Sequence, residues 1–159
     1  MNLRSLSVFV TYSQVAVFQA SLENPFNFWT SSHVDQGFAW RAGSASFQTI
    51  EEGGTHAIDV VVDADAAEIS SEATRVIEVP FEVPDDGAVL IGSISEEVSI
   101  SIRPGSYALR FEYIPSKDGS DPTIRLVFIP SGEAKFQIVR VDSKLRPPDQ
   151  LVVTADPAI

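Results

Sequence analysis

The amino-acid sequence predicts an all-β fold: a single antiparallel β-sandwich or a jelly-roll-like domain with little helix. Apolar and polar residues alternate with a period of two along much of the chain, which is typical of strands with one buried face. Turn signals rich in Gly, Pro and Asp separate these runs at short intervals, as in sandwiches and antiparallel barrels. The 159 residues include no cysteine and are enough for one domain to bury a core without disulfides.

The first strand is predicted from alternation over residues 8–12. The first twenty residues also resemble a secretion signal, because Arg4 precedes an apolar run. Polar residues at 11–14 interrupt that run and no cleavage motif of small residues follows, so a strand is the better interpretation. Together with the lack of cysteine, this favours a cytoplasmic location.

The later strands show the same alternation and are rich in β-branched and aromatic residues. They are predicted at residues 58–63, 77–83, 97–103, 107–113, 124–128 and 135–141. A single helical turn is predicted at 30–35, and a short helix or an acidic loop at 63–75. The strands form a β-sandwich domain over residues 1–143, and a proline-containing tail at 144–159 follows, which can pack on that domain.

Two proline signals constrain the strand at 77–83 and the turn after it. Pro80 has no N–H to donate, so we expect its strand to lie at a sheet edge or to carry a bulge there. The sequence Pro-Asp-Asp-Gly at 84–87 predicts a tight turn in which Gly87 takes a positive φ.

The charge of the chain is strongly negative and unevenly placed. Twenty-two acidic residues against eleven basic ones give a net charge of −11, and the block 51–97 contains thirteen acids and one base, Arg75. Direct binding to nucleic acid or to an anionic membrane is disfavoured, because both require clustered Lys and Arg. The block is either a solvated surface or a surface directed at a basic partner.

Motifs for catalysis and cofactor binding are weak. The chain has two histidines, neither of them in a catalytic motif, and it has neither a nucleophile elbow nor a phosphate-binding glycine loop. We therefore predict no enzyme, no cofactor and no metal. Asp63, Asp65 and Glu68 resemble part of a calcium loop but lack its remaining ligands. A jelly-roll-like binding module for carbohydrate or calcium stays open as the alternative function.

An aromatic cluster lies between residues 26 and 47. Most of its phenylalanines are typical of a core. Trp29 and Trp40 are either core residues or anchors of a protein interface, where tryptophan is enriched.

Several stretches of the chain form a recognisable series. The best are Val79-Pro80-Phe81-Glu82-Val83 and Pro104-Gly105-Ser106-Tyr107; the others are Thr11-Tyr12-Ser13-Gln14, Val17-Phe18-Gln19, Trp29-Thr30, Gln36-Gly37-Phe38-Ala39, Gly43-Ser44-Ala45-Ser46-Phe47 and Gly92-Ser93-Ile94. In order and at similar spacing from about residue 5 to 116, these stretches resemble the competence protein J family, the inhibitor of the DNA-entry nuclease of naturally competent bacteria. The resemblance implies an acidic intracellular protein that binds a nuclease and blocks it.

The function expected from this resemblance is that of a non-enzymatic inhibitor of a competence nuclease, or of a toxin nuclease for which the chain is the immunity protein. A nuclease holds DNA in a positive cleft, and carboxylates can stand there in place of phosphates. A homodimer through an exposed sheet edge stays open. The predicted partner-binding residues are Glu51, Glu52, Asp63, Asp65, Glu68, Asp85, Asp86, Trp29 and Trp40.

Overall fold

The computed structural model describes residues 2–62 and 68–159, and in that part of the chain it contains one short helix and eleven strands. In chain order they are β1 (Asn2–Val10), β2 (Gln14–Gln19), α1 (Ser31–Gln36), β3 (Phe38–Arg41), β4 (Ser44–Gln48), β5 (Gly54–Val62), β6 (Arg75–Val83), β7 (Ala88–Gly92), β8 (Glu97–Ser101), β9 (Gly105–Ile114), β10 (Thr123–Pro130) and β11 (Gln137–Arg140).

The strands form two sheets that pack face to face. The larger sheet has the order β1-β5-β10-β9-β6-β11, and the smaller sheet has the order β3-β4-β2-β7-β8. The predicted all-β fold class is confirmed. Pairing is antiparallel except between β10 and β5, which are parallel. That pair requires a long connection, because parallel neighbours cannot be joined by a hairpin, and four strands of the two sheets lie between β5 and β10 in the sequence.

The core lies between the sheets and is built by alternation. Ile77 and Val79 of β6 and Leu109 and Phe111 of β9 point inward and are fully buried. Phe47 of the smaller sheet stacks on Phe111 with 4.7 Å between ring centroids. Burying one such ring contributes about 1.5–3 kcal/mol by transfer from water alone. Phe111→Ala would also leave a cavity, so we expect it to cost about 3–5 kcal/mol.

At Pro80 one side of β6 has no neighbouring strand among the described residues, so the predicted sheet edge is found at this position. β6 pairs with β9 along its whole length, but β11 pairs with β6 only as far as Glu78. The free side of β6 at Pro80 instead receives a side chain, since the Trp40 indole Nε1 donates to the Pro80 carbonyl at 2.7 Å. The turn after β6 also matches its prediction: Gly87 has φ +68°, and a Cβ there would lie 2.7 Å from the Ile102 carbonyl oxygen.

The predicted helical turn is α1, and it is capped at Thr30. The His33 backbone N–H donates to the Thr30 hydroxyl, and the Thr30 backbone N–H donates to the Nδ1 atom of His33 at 2.9 Å. The other ring nitrogen of His33 lies 2.9 Å from the Thr154 carbonyl oxygen, and the Gln36 amide bonds to Val152 at both its backbone N–H and its carbonyl. These contacts align residues 152–154 with the helix.

The segment 68–74, which leads into β6, lies on the outer face of the larger sheet. Residues 68–74 are not helical, and the guanidinium of Arg140 donates to the carbonyl oxygens of Ser70 and Ala73 at 2.7 and 2.9 Å. The first part of the predicted helix or acidic loop, including Asp63 and Asp65, lies outside the described residues. The helix within the described ranges is too short to cross a membrane.

Candidate protein-binding surface

The predicted acidic residues do not share one surface. Glu51 and Glu52 belong to the β4–β5 loop, which lies where β6 begins, whereas Asp85 and Asp86 follow the last residue of β6. The nine residues of β6 separate these two ends of the sandwich by about 26 Å at the usual strand rise. We name them the Glu51 end and the Asp85 end. A single partner cleft would have to cover the length of a whole strand to contact both pairs.

The loop at the Glu51 end is fixed to the core through Tyr113. Its buried hydroxyl oxygen accepts from the Glu51 backbone N–H at 3.2 Å and lies 2.9 Å from Nε2 of the fully buried His56. The Nδ1 atom of His56 lies 3.0 Å from the Gly54 carbonyl oxygen, so an Nδ1–H tautomer lets the Tyr113 hydroxyl donate to Nε2. Burial raises the pKa of Tyr113 to about 12, which keeps the hydroxyl neutral.

The two glutamates of this loop are held differently. The Glu51 carboxylate is half-buried and accepts from the Ser116 hydroxyl at 2.9 Å. The Glu52 side chain is exposed, while its carbonyl oxygen accepts from the Ser13 backbone N–H at 2.8 Å. That bond joins the β4–β5 loop to the β1–β2 turn, where Tyr12 and Ser13 both have positive φ, 56° and 55°. Both central residues have this sign in a type I′ turn.

Two further acids, Glu96 and Glu97, lie at the Glu51 end, and the sequence analysis did not place them in the site. The Glu96 carboxylate accepts from the Phe9 backbone N–H at 2.9 Å, which joins the β7–β8 loop to β1. The loop turns at Gly92, where a Cβ would lie 2.2 Å from the Glu96 carbonyl oxygen. The position of Glu96 and Glu97 in the acidic block was a usable signal, but the meeting of their loop with β1 depends on strand order.

Trp29 also belongs to the Glu51 end. Its indole Nε1 donates to the Gln14 side-chain oxygen at 3.0 Å, and its ring meets the His33 ring edge-on at 6.4 Å. Tyr12, Trp29 and Val34 line a shallow cavity of about 240 Å³. Of the nine predicted residues, the structure thus brings Glu51, Glu52 and Trp29 to one end.

The Asp85 end has a different character. Asp85 and Asp86 are exposed, and one Asp86 carboxylate oxygen accepts from the Ala88 N–H at 3.0 Å. The basic residue Arg103 is exposed in the adjoining β8–β9 loop, which is joined to the turn by the bond from the Ile102 N–H to the Gly87 carbonyl.

Trp40 lies near the open side of the sandwich between the two sheets. Its ring packs edge-on against Phe136 with 5.0 Å between centroids. It lines a cavity of about 440 Å³ together with Pro80, Tyr107 and Glu82. The half-buried indole therefore closes the gap between β3 and the larger sheet, and its predicted interface role is untested.

Glu68 lies at neither end. Its carbonyl oxygen accepts from Arg125 at 3.2 Å on the outer face of the larger sheet. Beneath it, the fully buried Glu112 carboxylate accepts from Arg125 at 2.7 Å, from Arg110 at 2.8 Å and from the Ser70 N–H at 3.0 Å. Two guanidinium groups and a backbone donor thus compensate a carboxylate that would be costly to bury alone.

Neither histidine is free to act as a metal ligand without losing the contacts described above. Within residues 2–62 and 68–159, no group of three or more His, Asp and Glu side chains is arranged to hold a metal ion. The predicted calcium-type residues Asp63 and Asp65 fall outside those ranges.

Fold and surface together define a class: an acidic two-sheet β protein that exposes carboxylates and aromatic side chains on loops at the ends of its strands. The chain belongs to the competence protein J family, because the sequence model described as "Competence protein J (ComJ)" matches residues 7–134. This confirms the family predicted from sequence.

Two relatives extend this result. The chain is 25% identical over 108 residues to a "DNA-entry nuclease inhibitor" of Bacillus subtilis (strain 168), a match that covers 68% of this chain and 80% of the relative. The fold is similar to the crystal structure of ComJ, inhibitor of the DNA degrading activity of NucA, from Bacillus subtilis. That similarity has a TM-score of 0.71 at 22% identity and covers 80% of this chain and 96% of the other.

Proposed function

We propose that this protein binds and inhibits a DNA-degrading nuclease. The observation that carries the proposal is its membership of the competence protein J family, in which the similar Bacillus subtilis protein is named a DNA-entry nuclease inhibitor. The partner would be a basic nuclease, either one that acts in DNA entry or a toxin nuclease for which this chain is the immunity protein. The inhibitor acts without catalysis of its own and in the cytoplasm.

The physical basis is charge complementarity. A nuclease cleft must be positive to hold phosphates, and this chain carries a net charge of −11. Complementary fields raise the association rate and orient the two proteins before contact. Carboxylates on loops can then enter the cleft and exclude DNA, while the buried core of the sandwich keeps those loops in place.

The test is capture followed by an activity assay. The chain is immobilised and exposed to extract from its source cells, the retained protein is eluted at high salt, and its degradation of DNA is measured with and without added chain. The proposal expects a retained DNA-degrading nuclease whose activity the added chain abolishes. Retention of no such nuclease, or undiminished DNA degradation in the presence of the chain, would overturn it.

A further inference from the structure

We infer that the nuclease binds at the Glu51 end of the sandwich, on an apolar patch centred on Tyr12. This inference rests on the proposed function and gives it a location. We define the Tyr12 patch by its exposed or half-exposed apolar side chains, which are Phe9, Tyr12, Trp29, Val34 and Ile94.

The Tyr12 patch leaves large apolar side chains in solvent. Tyr12 is 77% exposed, Ile94 is 52% exposed and Phe9 is 49% exposed. The segments that carry these residues are adjacent: the Thr11 hydroxyl beside Tyr12 lies 3.5 Å from the Ser95 hydroxyl beside Ile94, and Ser95 also donates to the Phe9 carbonyl at 3.2 Å. Clustered exposed apolar side chains on a soluble protein mark interaction sites, and tyrosine and tryptophan dominate the binding energy of protein interfaces.

The acidic residues around the Tyr12 patch favour a basic protein as its binding partner. Glu51 and Glu52 lie in the loop that bonds to Ser13 beside Tyr12, Glu96 bonds to Phe9, and Glu97 follows Glu96 at the start of β8. The loops that carry Tyr12 and Ile94, residues 11–13 and 93–96, and the adjoining loop 49–53 contain Glu51, Glu52 and Glu96 and no Lys or Arg, and Glu97 begins β8 directly after them. An apolar centre with a charged rim is the usual anatomy of a protein interface, and the sign of this rim matches a positive cleft.

Three exposed bases of the described residues lie near this end, outside the loops at 11–13, 49–53 and 93–96, and one of them is Arg146, whose backbone N–H donates to the Asp35 carbonyl oxygen beside Val34 at 2.8 Å. Lys117 is paired with Glu72 at 2.9 Å. The Lys144 ammonium lies 3.5 Å from the Ile50 carbonyl oxygen, on the side of the loop next to β11. At the Asp85 end, in contrast, Arg103 adjoins the two acids, and among the described residues of that turn and the β8–β9 loop there is no exposed aromatic side chain.

The decisive variant is the double substitution Tyr12→Asn with Ser13→Gly. Asn-Gly is the favoured pair for a turn with two positive φ values, so this variant removes the aromatic ring while preserving or improving the β1–β2 connection. We expect the inhibition constant against the captured nuclease to rise at least about tenfold, because one central aromatic anchor carries that much affinity. The melting temperature should stay the same or rise.

The control changes the other end. Asp85→Asn with Asp86→Asn keeps an acceptor for the Ala88 N–H and should leave the inhibition constant within about twofold of the unmodified chain, as expected for acids outside the interface. A folded Tyr12→Asn, Ser13→Gly variant that inhibits as well as the unmodified chain would overturn the inference. Failure of the unmodified chain to inhibit would instead overturn the proposed function, so the two failures are distinguishable.

Discussion

The Tyr113 hydroxyl accepts a hydrogen bond from the backbone N–H of Glu51 at 3.2 Å, and this bond fixes an acidic loop to the core of the larger sheet. Tyr113 belongs to β9 and is fully buried, so its position is set by packing rather than by the loop. Its second partner, His56, is also buried and lies in β5, the strand that follows the loop. Hydrogen bonds to these buried residues therefore hold the acidic loop in a fixed position relative to the sheet.

Tyr113→Phe should weaken inhibition by loosening this loop. The substitution leaves the Glu51 N–H and the His56 ring without their shared partner, and an unpaired buried group costs about 1–3 kcal/mol. We expect a lower melting temperature and a higher inhibition constant. Tyr107→Phe is the matched control, because the Tyr107 hydroxyl donates to the Arg103 carbonyl at 2.6 Å near the Asp85 end. Tyr107→Phe should lower the melting temperature and leave the inhibition constant unchanged. If Tyr107→Phe and Tyr113→Phe raise the inhibition constant equally, the account is contradicted.

Charge reversal at the two ends should have unequal effects. Glu51→Lys with Glu52→Lys places two positive charges beside the Tyr12 patch, and we expect inhibition to weaken at least about tenfold at low salt. The loss should appear mainly in the association rate and should shrink as salt screens the charges. Asp85→Lys with Asp86→Lys makes the same change in net charge at the far end. If both pairs weaken inhibition equally, total charge rather than the Glu51 end determines binding.

Gly92→Ala tests whether the β7–β8 loop belongs to the interface. A Cβ at this position would lie 2.2 Å from the Glu96 carbonyl oxygen and 2.5 Å from the Glu97 Cα, so the loop has to move. We expect destabilisation and weaker inhibition, read from thermal melting and from titration of the nuclease. Gly87→Ala strains the turn at the Asp85 end and supplies the comparison. If the Gly87→Ala variant is fully folded and yet no longer inhibits the nuclease, the placement of the interface at the Glu51 end is contradicted.

The buried pair between Arg75 and Asp142 should make stability depend on pH. Burial alone would raise the pKa of Asp142, but the hydrogen bonds and positive charge of Arg75 outweigh it, and the pKa lies below its ordinary value of 3.8. The pair is bidentate, with distances of 2.7 and 3.1 Å. A carboxyl with a lowered folded pKa stabilises the fold above its unfolded pKa, and this contribution disappears as the pH falls through the folded value.

Asp142→Asn checks this pH dependence. At pH 7 it leaves the Arg75 charge buried without its counter-ion, and removing one partner of a buried pair costs about 3–5 kcal/mol. Urea unfolding should show a large difference in the free energy of unfolding between the two proteins near neutral pH, and the difference should shrink as the pH falls below 3.8. A difference that stays constant with pH would mean that Asp142 does not titrate as the structure implies.

The strands that were predicted from the sequence are those with apolar residues on one face and polar residues on the other. The strand predicted at 77–83 corresponds to β6 (Arg75–Val83), and that at 107–113 to β9 (Gly105–Ile114). The alternation did not reveal β2, because its four buried residues at 15–18 are apolar on both faces of the strand. The short strand β4 does alternate between serine and apolar residues, but it was not predicted. The Asn27 side chain covers the outer face of the smaller sheet and donates to the carbonyl oxygens of Ala39 and Ser44. In β2, apolar residues on both faces remove the polar half of the pattern, whereas β9 keeps it through the buried polar residues Arg110 and Glu112.

The candidate surface was predicted less well than the fold. Sequence placed Glu51, Glu52, Asp85 and Asp86 in one acidic block, but β6 lies between the two pairs and carries them to opposite ends. Glu96 was in the block without being singled out, and its proximity to Phe9 follows from the meeting of β1 with the β7–β8 loop. Which loops meet at one end depends on strand order, and strand order is set by tertiary packing rather than by local periodicity.

Titration of the nuclease with the unmodified chain tests the central claim most directly. DNA degradation would be measured at a fixed nuclease concentration while the chain is added, first at low salt and then at high salt. The account predicts that activity falls to the background level near an equimolar ratio and that part of it returns as salt is raised, because charge contributes to the complex. Undiminished DNA degradation in the presence of a large molar excess of folded chain at low salt would contradict the account.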